Sequence, residues 1–414
     1  MQPLATVDPF HPKHTAFPPQ VCVVGGGFGG LYTALYLHQR CRRARHPCHI
    51  TLIEPRDHFV FTPLLYELLT DELKPWEIVP RYATLLQGTT IRHLQTAAKH
   101  LELSARRVEL VSGERVSYDY LVVATGSRDR SLPIPGWAEY TYGFRTLADV
   151  ERLSARLANL LAAASHPINM AIVGGGPNGV ELACKLADCL GSQGTLHLIE
   201  RGSVILKPFP ARVQRAAVRS LAQRRVALHL ETEVTAIEPN RLHIATTMGG
   251  DTLAADVVIG VAGTQPRAWL AASTSVNCDH NGAIMPRSTL QIPQHPEVFV
   301  VGDQAIVMGQ GDRPAPQTAQ AAYQGADTVA HNLLALMQRR PLKSFHYTHL
   351  GDMMTLGQQD ALVDSAGIVL KGRVASILRQ VAYVYRLPPG GNHRWRVARY
   401  RLARVWHWLW HWGS

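Results

Sequence analysis

One pattern occurs twice in this 414-residue chain. Residues 21–54 run as an apolar strand (VCVV), a glycine turn (GGGFGG), a helix (LYTALYLHQR), a loop and a second strand (HITLIE). Residues 170–200 repeat that order with MAIV, GGGPNG, VELACKLADCL and TLHLIE. Apolar residues recur at helical spacing in both helices, at Leu31, Ala34 and Leu35 and at Leu182, Leu186 and Leu190. Each repeat therefore predicts a βαβ unit long enough to found a parallel sheet. The chain is also too long for one core, so two nucleotide-fold-sized domains and an appendage are expected.

The glycines carry the chemistry. In Gly25-x-Gly27-x-x-Gly30, Gly25 can make the tight strand-to-helix turn, Gly27 lets the backbone approach a pyrophosphate, and Gly30 lets helix and strand pack closely. The phosphates then meet unpaired helix N–H groups at the positive end of the dipole. Glu54, 24 residues past Gly30, can accept both hydroxyls of an adenosine ribose. Gly174-x-Gly176-x-x-Gly179 repeats the motif, with Glu200 following at 21 residues. Two complete fingerprints most simply bind two dinucleotides, a resident flavin and an exchangeable nicotinamide, with hydride passing between them. Glu200 repels a 2′-phosphate and favours NADH, whereas the adjacent Arg201 can pair with that phosphate, so NADPH stays open.

Three more strands belong to these sheets. YDYLVVATG (118–126) ends in a small-residue turn, DVVIGVAGTQP (256–266) has the same form, and EVFVVGD (297–303) closes on Gly302 and Asp303. A helix follows around 317–337. Strands need neighbours, so the expected organisation is a discontinuous domain of residues 21–144 and 259–340, with a second domain of 145–258 inserted into it. Residues 1–20 form a flexible N-terminal tail, and 341–414 a C-terminal region.

Composition narrows the class. At 46% hydrophobic and 18% charged the chain is an ordinary globular protein. Its 6 cysteines (Cys22, Cys41, Cys48, Cys184, Cys189, Cys278) are scattered, as suits a reducing compartment. No apolar run reaches the roughly 18 residues of a spanning helix, and the Pro/His-rich start lacks a signal-peptide core. The net charge of +11 is concentrated: residues 371–414 carry nine Lys/Arg and no acid, together with five of the 8 tryptophans. The 20 histidines show no metal-ligand spacing; His407 and His411 lie four apart without a third ligand, so no metal is expected.

With the segments YDYLVVATGS, VFVVGDQA and APQTAQAAYQ added, the arrangement resembles the type II NAD(P)H:quinone oxidoreductases among the two-dinucleotide-fold flavoproteins. FTPLLYELLTDELKPWEIVP, YRLPPG and the Arg/Trp-rich end look most like the cyanobacterial and plastid branch of that family. The likeness covers nearly all of residues 21–406. It implies an α/β protein with two Rossmann-like domains, one for FAD and one for NADH or NADPH, and a C-terminal amphipathic membrane-associating segment. It further implies that Asp303 contacts the flavin's ribityl chain and that Gln320 and Gln324 mark the quinone site. Flavin contacts then extend to Phe28, Gly29, Pro55, Arg56, Ala124, Thr125, Gly126, Gly302, Ala319 and Gln320. Nucleotide contacts extend to Asn178, Arg201 and Gly263. In this family the glutamate corresponding to Glu181 lies near nicotinamide and flavin; here it falls in the first turn of its helix, where an acid also complements the macrodipole. A homodimer is implied by the resemblance alone.

Physics gives several of these residues work. A helix starting near Gln317 can aim its positive end at the flavin pyrimidine and stabilise the reduced anion. Gln320 and Gln324, spaced i and i+4, face one side of that helix and can hydrogen-bond a quinone carbonyl in an apolar slot. In the tail, Val374, Ile377, Leu378, Val381, Ala382 and Tyr385 share one helical face, LPPGG (387–391) breaks the helix, and Trp395, Ala398, Leu402, Val405, Trp406 and Leu409 make a second stripe. Arg396, Arg401, Arg404, His407 and His411 lie opposite. Two basic amphipathic helices suit a monotopic anchor on anionic lipid, from which a long-tailed quinone would enter; packing on the flavin domain or a dimer seam is the alternative for the first helix.

The expected protein is thus a peripheral enzyme on the cytoplasmic face of a bacterial plasma or thylakoid membrane, cyanobacterial by resemblance. It oxidises NAD(P)H and reduces a membrane quinone of plastoquinone, menaquinone or demethylphylloquinone type without pumping protons. Nucleic acid is not expected as a partner. Two rivals stand beside this reading: a soluble flavin-dependent reductase of a protein disulfide or ferredoxin, and a non-catalytic redox sensor. A disulfide reductase needs a cysteine pair beside the flavin, and Cys184 and Cys189, five apart on one helix, point to different faces.

Overall fold

The computed structural model describes residues 17–163, 166–267, 276, 278–279, 281–308, 314–365 and 367–411. In chain order, the elements that position the functional residues are β1 (Gln20–Val24), α1 (Phe28–Ala44), β2 (His49–Ile53), α2 (Leu65–Leu69), α3 (Pro75–Ile78), β3 (Arg92–Leu94), β4 (Tyr120–Val123), β5 (Thr141–Tyr142), α4 (Leu147–Ala163), β6 (Ile168–Val173), α5 (Pro177–Leu190), β7 (Gly194–Ile199), α6 (Ala211–Gln223), β8 (Ala227–His229), β9 (Val257–Gly260), β10 (Gln291–Ile292), β11 (His295–Val300), α7 (Ala319–Met337), β12 (Asp352–Gly357), β13 (Asp360–Ser365), β14 (Ile368–Lys371), α8 (Gly372–Arg386) and α9 (His393–His411). They form two compact units. The first takes the chain up to Asp57, Leu86–Gly126 and Pro266–Tyr347; the second takes His58–Leu85, Ser127–Gln265 and everything from Thr348 onward.

The first unit is built on a six-stranded sheet in the order β10-β11-β4-β1-β2-β3. All strands from β11 to β3 pair in parallel, and only β10 is antiparallel to its neighbour. β1 and β4 are apolar and buried on consecutive residues, which a sheet covered on both faces demands. α1 lies along α7, with the rings of Tyr32 and Tyr323 6.3 Å apart. An antiparallel meander (Ala98–Glu102, Arg107–Leu110, Arg115–Ser117) completes it.

The second unit repeats the plan. Its parallel sheet runs β8-β7-β6-β9-β5, so the fingerprint strand β6 sits between β7 and β9 as β1 sits between β2 and β4. A meander (Glu233–Glu238, Arg241–Thr246, Gly249–Ala254) buries Val234, Ile237, Leu242 and Ile244 with Trp137 against the sheet. The three strands β12-β13-β14 then pack on α5 and lead into α8.

Two features follow from buried charge rather than from periodicity. His58–Leu85 groups with the C-terminal region because cations on α8 and α9 reach into it: Arg379 pairs with Glu67 and takes the Pro63 carbonyl at 2.8 Å, and Arg401 meets the fully buried Glu77 at 2.9 Å. Arg401 was expected opposite the apolar stripe, and it lies there. Arg379, His393 and Arg401 point inward, because each finds an acceptor there, His393 being bonded to the Glu77 carbonyl at 3.0 Å. The apolar stripe is the exposed face: Val374, Ile377, Val381, Tyr385, Trp395 and Leu402 are each more than half exposed. The break at 387–391 falls where the prolines predict, between α8 and α9. Arg404, Val405, Trp406, His407, Leu409 and His411 lie outside the residues whose side chains are described.

Candidate functional site: two dinucleotide cradles and a buried charge cluster

In the first unit, the residues expected to hold the flavin stand at the carboxyl ends of adjacent parallel strands, where open α/β sheets bind ligands. Gly25 follows β1 with φ +100°, and a Cβ there would lie 2.4 Å from the Ala124 carbonyl oxygen. A Cβ on Gly30 would lie 1.8 Å from the Gly25 carbonyl oxygen, so the helix can approach the strand only because no side chain intervenes. Gly27, at the N-cap of α1, faces open space, and no side-chain bond caps the helix. The backbone of that first turn is open to the approach of an anion, which fits a pyrophosphate. Phe28 stacks on Tyr32 at 5.8 Å, and Gly29 packs on Val301.

Glu54 ends β2 and is 4% exposed. It accepts from the Gly26 amide at 2.8 Å, the Arg56 amide at 3.1 Å and the Arg56 guanidinium at 2.7 Å. Burial alone would raise its pKa; the Arg56 charge and these donors outweigh burial and hold the carboxyl below its usual range. Pro55 between them is exposed. After β4, Thr125 donates to Gln304 at 3.0 Å, tying the Ala124–Gly126 turn to the Gly302–Gln304 turn that follows β11. Asp303 is half-buried in that turn, and its carbonyl accepts from the Gln317 side chain at 3.0 Å.

α7 begins at Ala319, two residues later than expected, because Thr318 is the N-cap and accepts from the Ala321 amide. Gln320 and Gln324 are both half-buried on this helix, and Tyr347 donates to Gln320 Oε1 at 2.7 Å. Beside the same helix start is a small apolar recess lined by Leu290, Val301, Val307, Ala322 and Phe345 among others. Neither Gln320 nor Gln324 lines it.

The second unit echoes the cradle. Gly174 has φ +124°, a Cβ on Gly179 would lie 1.8 Å from the Gly174 carbonyl oxygen, and Gly176 faces open space at the N-cap of α5. Glu200 ends β7 with one oxygen on the Gly175 amide and the other on the Gly202 amide, both at 2.7 Å. Arg201 is exposed. Gly263 (φ +98°) accepts from the Arg130 amide, and Asn178 accepts from the Tyr66 hydroxyl at 2.8 Å.

Glu181 departs from its expected place. It is the fifth residue of α5, one turn in from the end, and 8% exposed, so it does not serve as a first-turn acid. Its carboxylate accepts from the Thr355 amide at 2.8 Å and stands 3.6 Å from the Arg379 guanidinium. Arg379 also pairs with Glu67 and lies over the Tyr383 ring at 4.9 Å. One turn further along α5, Lys185 pairs with Glu72 and stands 3.9 Å from Glu67. Two buried cations thus face three carboxyls, Glu67 and Glu181 buried and Glu72 half-buried. Burial pushes the Glu181 pKa up to about 7, against the pull of Arg379 and the Thr355 amide. A protonated Glu181 leaves two cations facing two anions. Sequence reading missed Glu67, Lys185, Thr355 and Arg379; the available signal was Lys185, a cation four residues after Glu181 on an otherwise apolar helix.

Cys184 is buried against Ser220 and Cys189 is exposed; no disulfide joins them. Among the described residues no cluster of His, Cys, Asp or Glu could hold a metal.

Comparison with known proteins agrees with this geometry. Residues 19–326 match the family model described as pyridine nucleotide-disulphide oxidoreductase. A demethylphylloquinone reductase of Synechocystis is 36% identical over 376 residues, covering 89% of this chain and 92% of its own length. An alternative NAD(P)H-ubiquinone oxidoreductase of Arabidopsis thaliana, chloroplastic and mitochondrial, is 33% identical and covers 92% of this chain and 79% of its own. Among solved structures, NDH2 of Plasmodium falciparum in complex with NADH shares the fold with a TM-score of 0.81 at 18% identity, covering 92% of this chain and 97% of that one.

Two outcomes are expected. Gly30→Ala should destabilise the protein by about 1–3 kcal/mol in urea, through the clash with Gly25, whereas Gly27→Ala should leave stability within about 0.5 kcal/mol yet lower the flavin bound per chain, read from its visible absorbance. Equal urea midpoints for the two would remove the packing argument. Secondly, Glu181 carries a raised native pKa, so the native state holds a proton that the unfolded chain has lost. Its contribution to stability is complete below about 4.5 and is lost as pH rises through about 7. Glu181→Gln should flatten the fall in unfolding free energy across that window, measured by urea titration at each pH.

Proposed function

The chain belongs to the pyridine nucleotide-disulphide oxidoreductase family, among the type II NAD(P)H:quinone oxidoreductases, and we propose that it oxidises a nicotinamide dinucleotide and reduces a membrane quinone by two electrons, with FAD as its resident cofactor. The observation that carries the reading is the pair of open cradles at Gly27 and Gly176, each closed by a buried or half-buried carboxylate at the end of the next strand. The FAD bound in the first unit would take hydride from the nicotinamide and pass the electrons on. The α1 amides hold its pyrophosphate, Glu54 its adenosine ribose and Asp303 its ribityl hydroxyls. In the second unit the α5 amides and Glu200 hold the nicotinamide dinucleotide. NADH is the preferred donor, because both Glu200 oxygens are pinned by backbone amides where a 2′-phosphate would have to sit.

Gln320 and Gln324 would bind the quinone. The Tyr347 hydroxyl fixes the Gln320 carboxamide by its oxygen, an arrangement that supports a donor role for the amide nitrogen. No helix among the described residues is long and apolar enough to cross a membrane. The exposed stripe of α8 and α9 supports a peripheral attachment to a lipid surface, by the face opposite the inward-pointing arginines. A homodimer remains part of the proposal by likeness to the family. Cys184 and Cys189 do not support the disulfide-reductase alternative, since they lie on α5 in the second unit with no disulfide between them.

Anaerobic titration of the purified protein should bleach the flavin band with NADH at lower concentration than with NADPH, and added quinone should restore it. Gln320→Leu should slow reoxidation by quinone roughly tenfold or more while leaving bleaching unchanged; slowed bleaching with normal reoxidation would refute the quinone assignment. Separately, Ile377→Glu and Val381→Glu together should abolish co-sedimentation with anionic lipid vesicles. Undiminished sedimentation would place the lipid contact elsewhere.

A further inference from the structure

The first unit holds a pair of thiols that none of the chemistry above employs. α1 ends in a Schellman turn: the His46 amide donates to the Cys41 carbonyl at 3.0 Å, the Arg45 amide donates to the Arg42 carbonyl at 3.3 Å, and Arg45 is left-handed at φ 52°. The turn reverses the chain through Pro47 and returns Cys48 to the last helical turn. There the Cys48 thiol donates to Cys41 with the two Sγ atoms 3.4 Å apart. Cys41 is 5% exposed and Cys48 half-buried.

Three further observations separate this pair from ordinary packing cysteines. The hydrogen bond from Cys48 draws the Cys41 thiol below its usual pKa. Cys22 and Cys184, by contrast, are pushed up to about 12 by burial and are inert. Around the pair the sequence is cationic, with Arg42, Arg43, Arg45, His46 and His49 within eight residues, which favours the approach of an anionic oxidant. The backbone connecting the two sulfurs is also fixed by two hydrogen bonds, so closing from contact to a covalent S–S bond of about 2.05 Å asks for side-chain rotation and not for refolding.

We propose that Cys41 and Cys48 form a dithiol–disulfide modification site, oxidised by a small anionic disulfide and restored by a dithiol reductant. Cys48, the more exposed sulfur, is held protonated by burial and by its bond to Cys41; as the disulfide arrives it passes its proton along that bond to the Cys41 thiolate and attacks one sulfur of the incoming disulfide. That S–S bond breaks and one thiol leaves, taking the proton from Cys41. The Cys41 thiolate then attacks the Cys48 sulfur of the mixed disulfide, forming the Cys41–Cys48 bond and releasing the second thiol. Two protein thiols give up two electrons and two protons, and the small disulfide takes them up as two thiols. The new bond staples the end of α1 to the residue before β2. α1 begins just after Gly27 and β2 ends next to Glu54, so, resting on the flavin reading above, the staple holds the two elements that grip the dinucleotide.

The test uses flavin-loaded full-length protein incubated with oxidised glutathione, trapped with iodoacetamide and digested with trypsin. Cleavage at the arginines between the two cysteines leaves their peptides joined only by the bond. The expected result is a Cys41–Cys48 linked peptide, loss of both thiols from alkylation together, and recovery of both with dithiothreitol. In Cys41→Ser, the reaction should halt with glutathione on Cys48. If wild type instead keeps both thiols, or stops with glutathione on Cys48, the site is refuted. Cys48→Ser, at a half-buried position, is the control for folding and should release flavin in urea at a rate independent of oxidant, whereas oxidised wild type should release it several-fold more slowly than reduced wild type. A bond that forms without changing flavin release refutes the staple, and a protein that never binds flavin fails the functional reading while the linked peptide still reports on the thiols.

Discussion

Both halves of this protein depend on one steric fact: a helix can lie against its own preceding strand turn only where the side chain is a hydrogen atom. At Gly30 and Gly179 the carbonyl of the first fingerprint glycine occupies the space that a Cβ would fill. That contact sets where α1 and α5 begin, and with it where the unpaired amides at Gly27 and Gly176 point. The carboxylates at Glu54 and Glu200 then bond back to Gly26 and Gly175, closing each cradle from the adjacent strand. On the function proposed above, phosphate recognition would rest on backbone spacing, with the charged side chains only bounding it.

The buried charge cluster around Glu181 rests on a different balance. Removing Arg379, Lys185, Glu67 and Glu181 from water is costly, and the cost is offset only because each has a close partner of opposite sign. The cluster draws α2, α5 and α8 together, and the first two β12 residues beyond Met353 complete it through the Thr355 amide. With a surplus carboxyl, the cluster sits near a protonation boundary close to neutral pH. A tail that looked like a separate attachment is therefore built into the electrostatics of the second unit, while its apolar stripe stays exposed.

Much of the fold was legible because it depends on short-range rules. The βαβ echo, the strand-end position of Glu54 and Glu200, the break at Leu387–Gly391 and the shared helix of Gln320 and Gln324 all follow from spacing within one or two elements. The placements that went astray depend on partners distant in sequence. Glu181 was given a place near nicotinamide and flavin or a helix-end role, since nothing local reveals that Thr355 and Arg379 meet it. Arg401 was placed opposite the apolar stripe, where it stands, but its partner Glu77 lies more than 300 residues earlier and was not foreseen. The Cys41–Cys48 contact was missed for the opposite reason: the two are close in sequence, but the left-handed turn that folds one onto the other is carried by Arg45 and not by a glycine.

The amino-acid order alone thus determined that two βαβ units with glycine turns exist, that Glu54 and Glu200 stand at strand ends and where the chain turns, because glycine sterics and apolar periodicity act over a few residues. Only the tertiary structure decided the partners of the buried charges. Which carboxylate meets which cation depends on how segments hundreds of residues apart pack, and away from bulk water each pairing is set by the nearest opposite charge that packing brings.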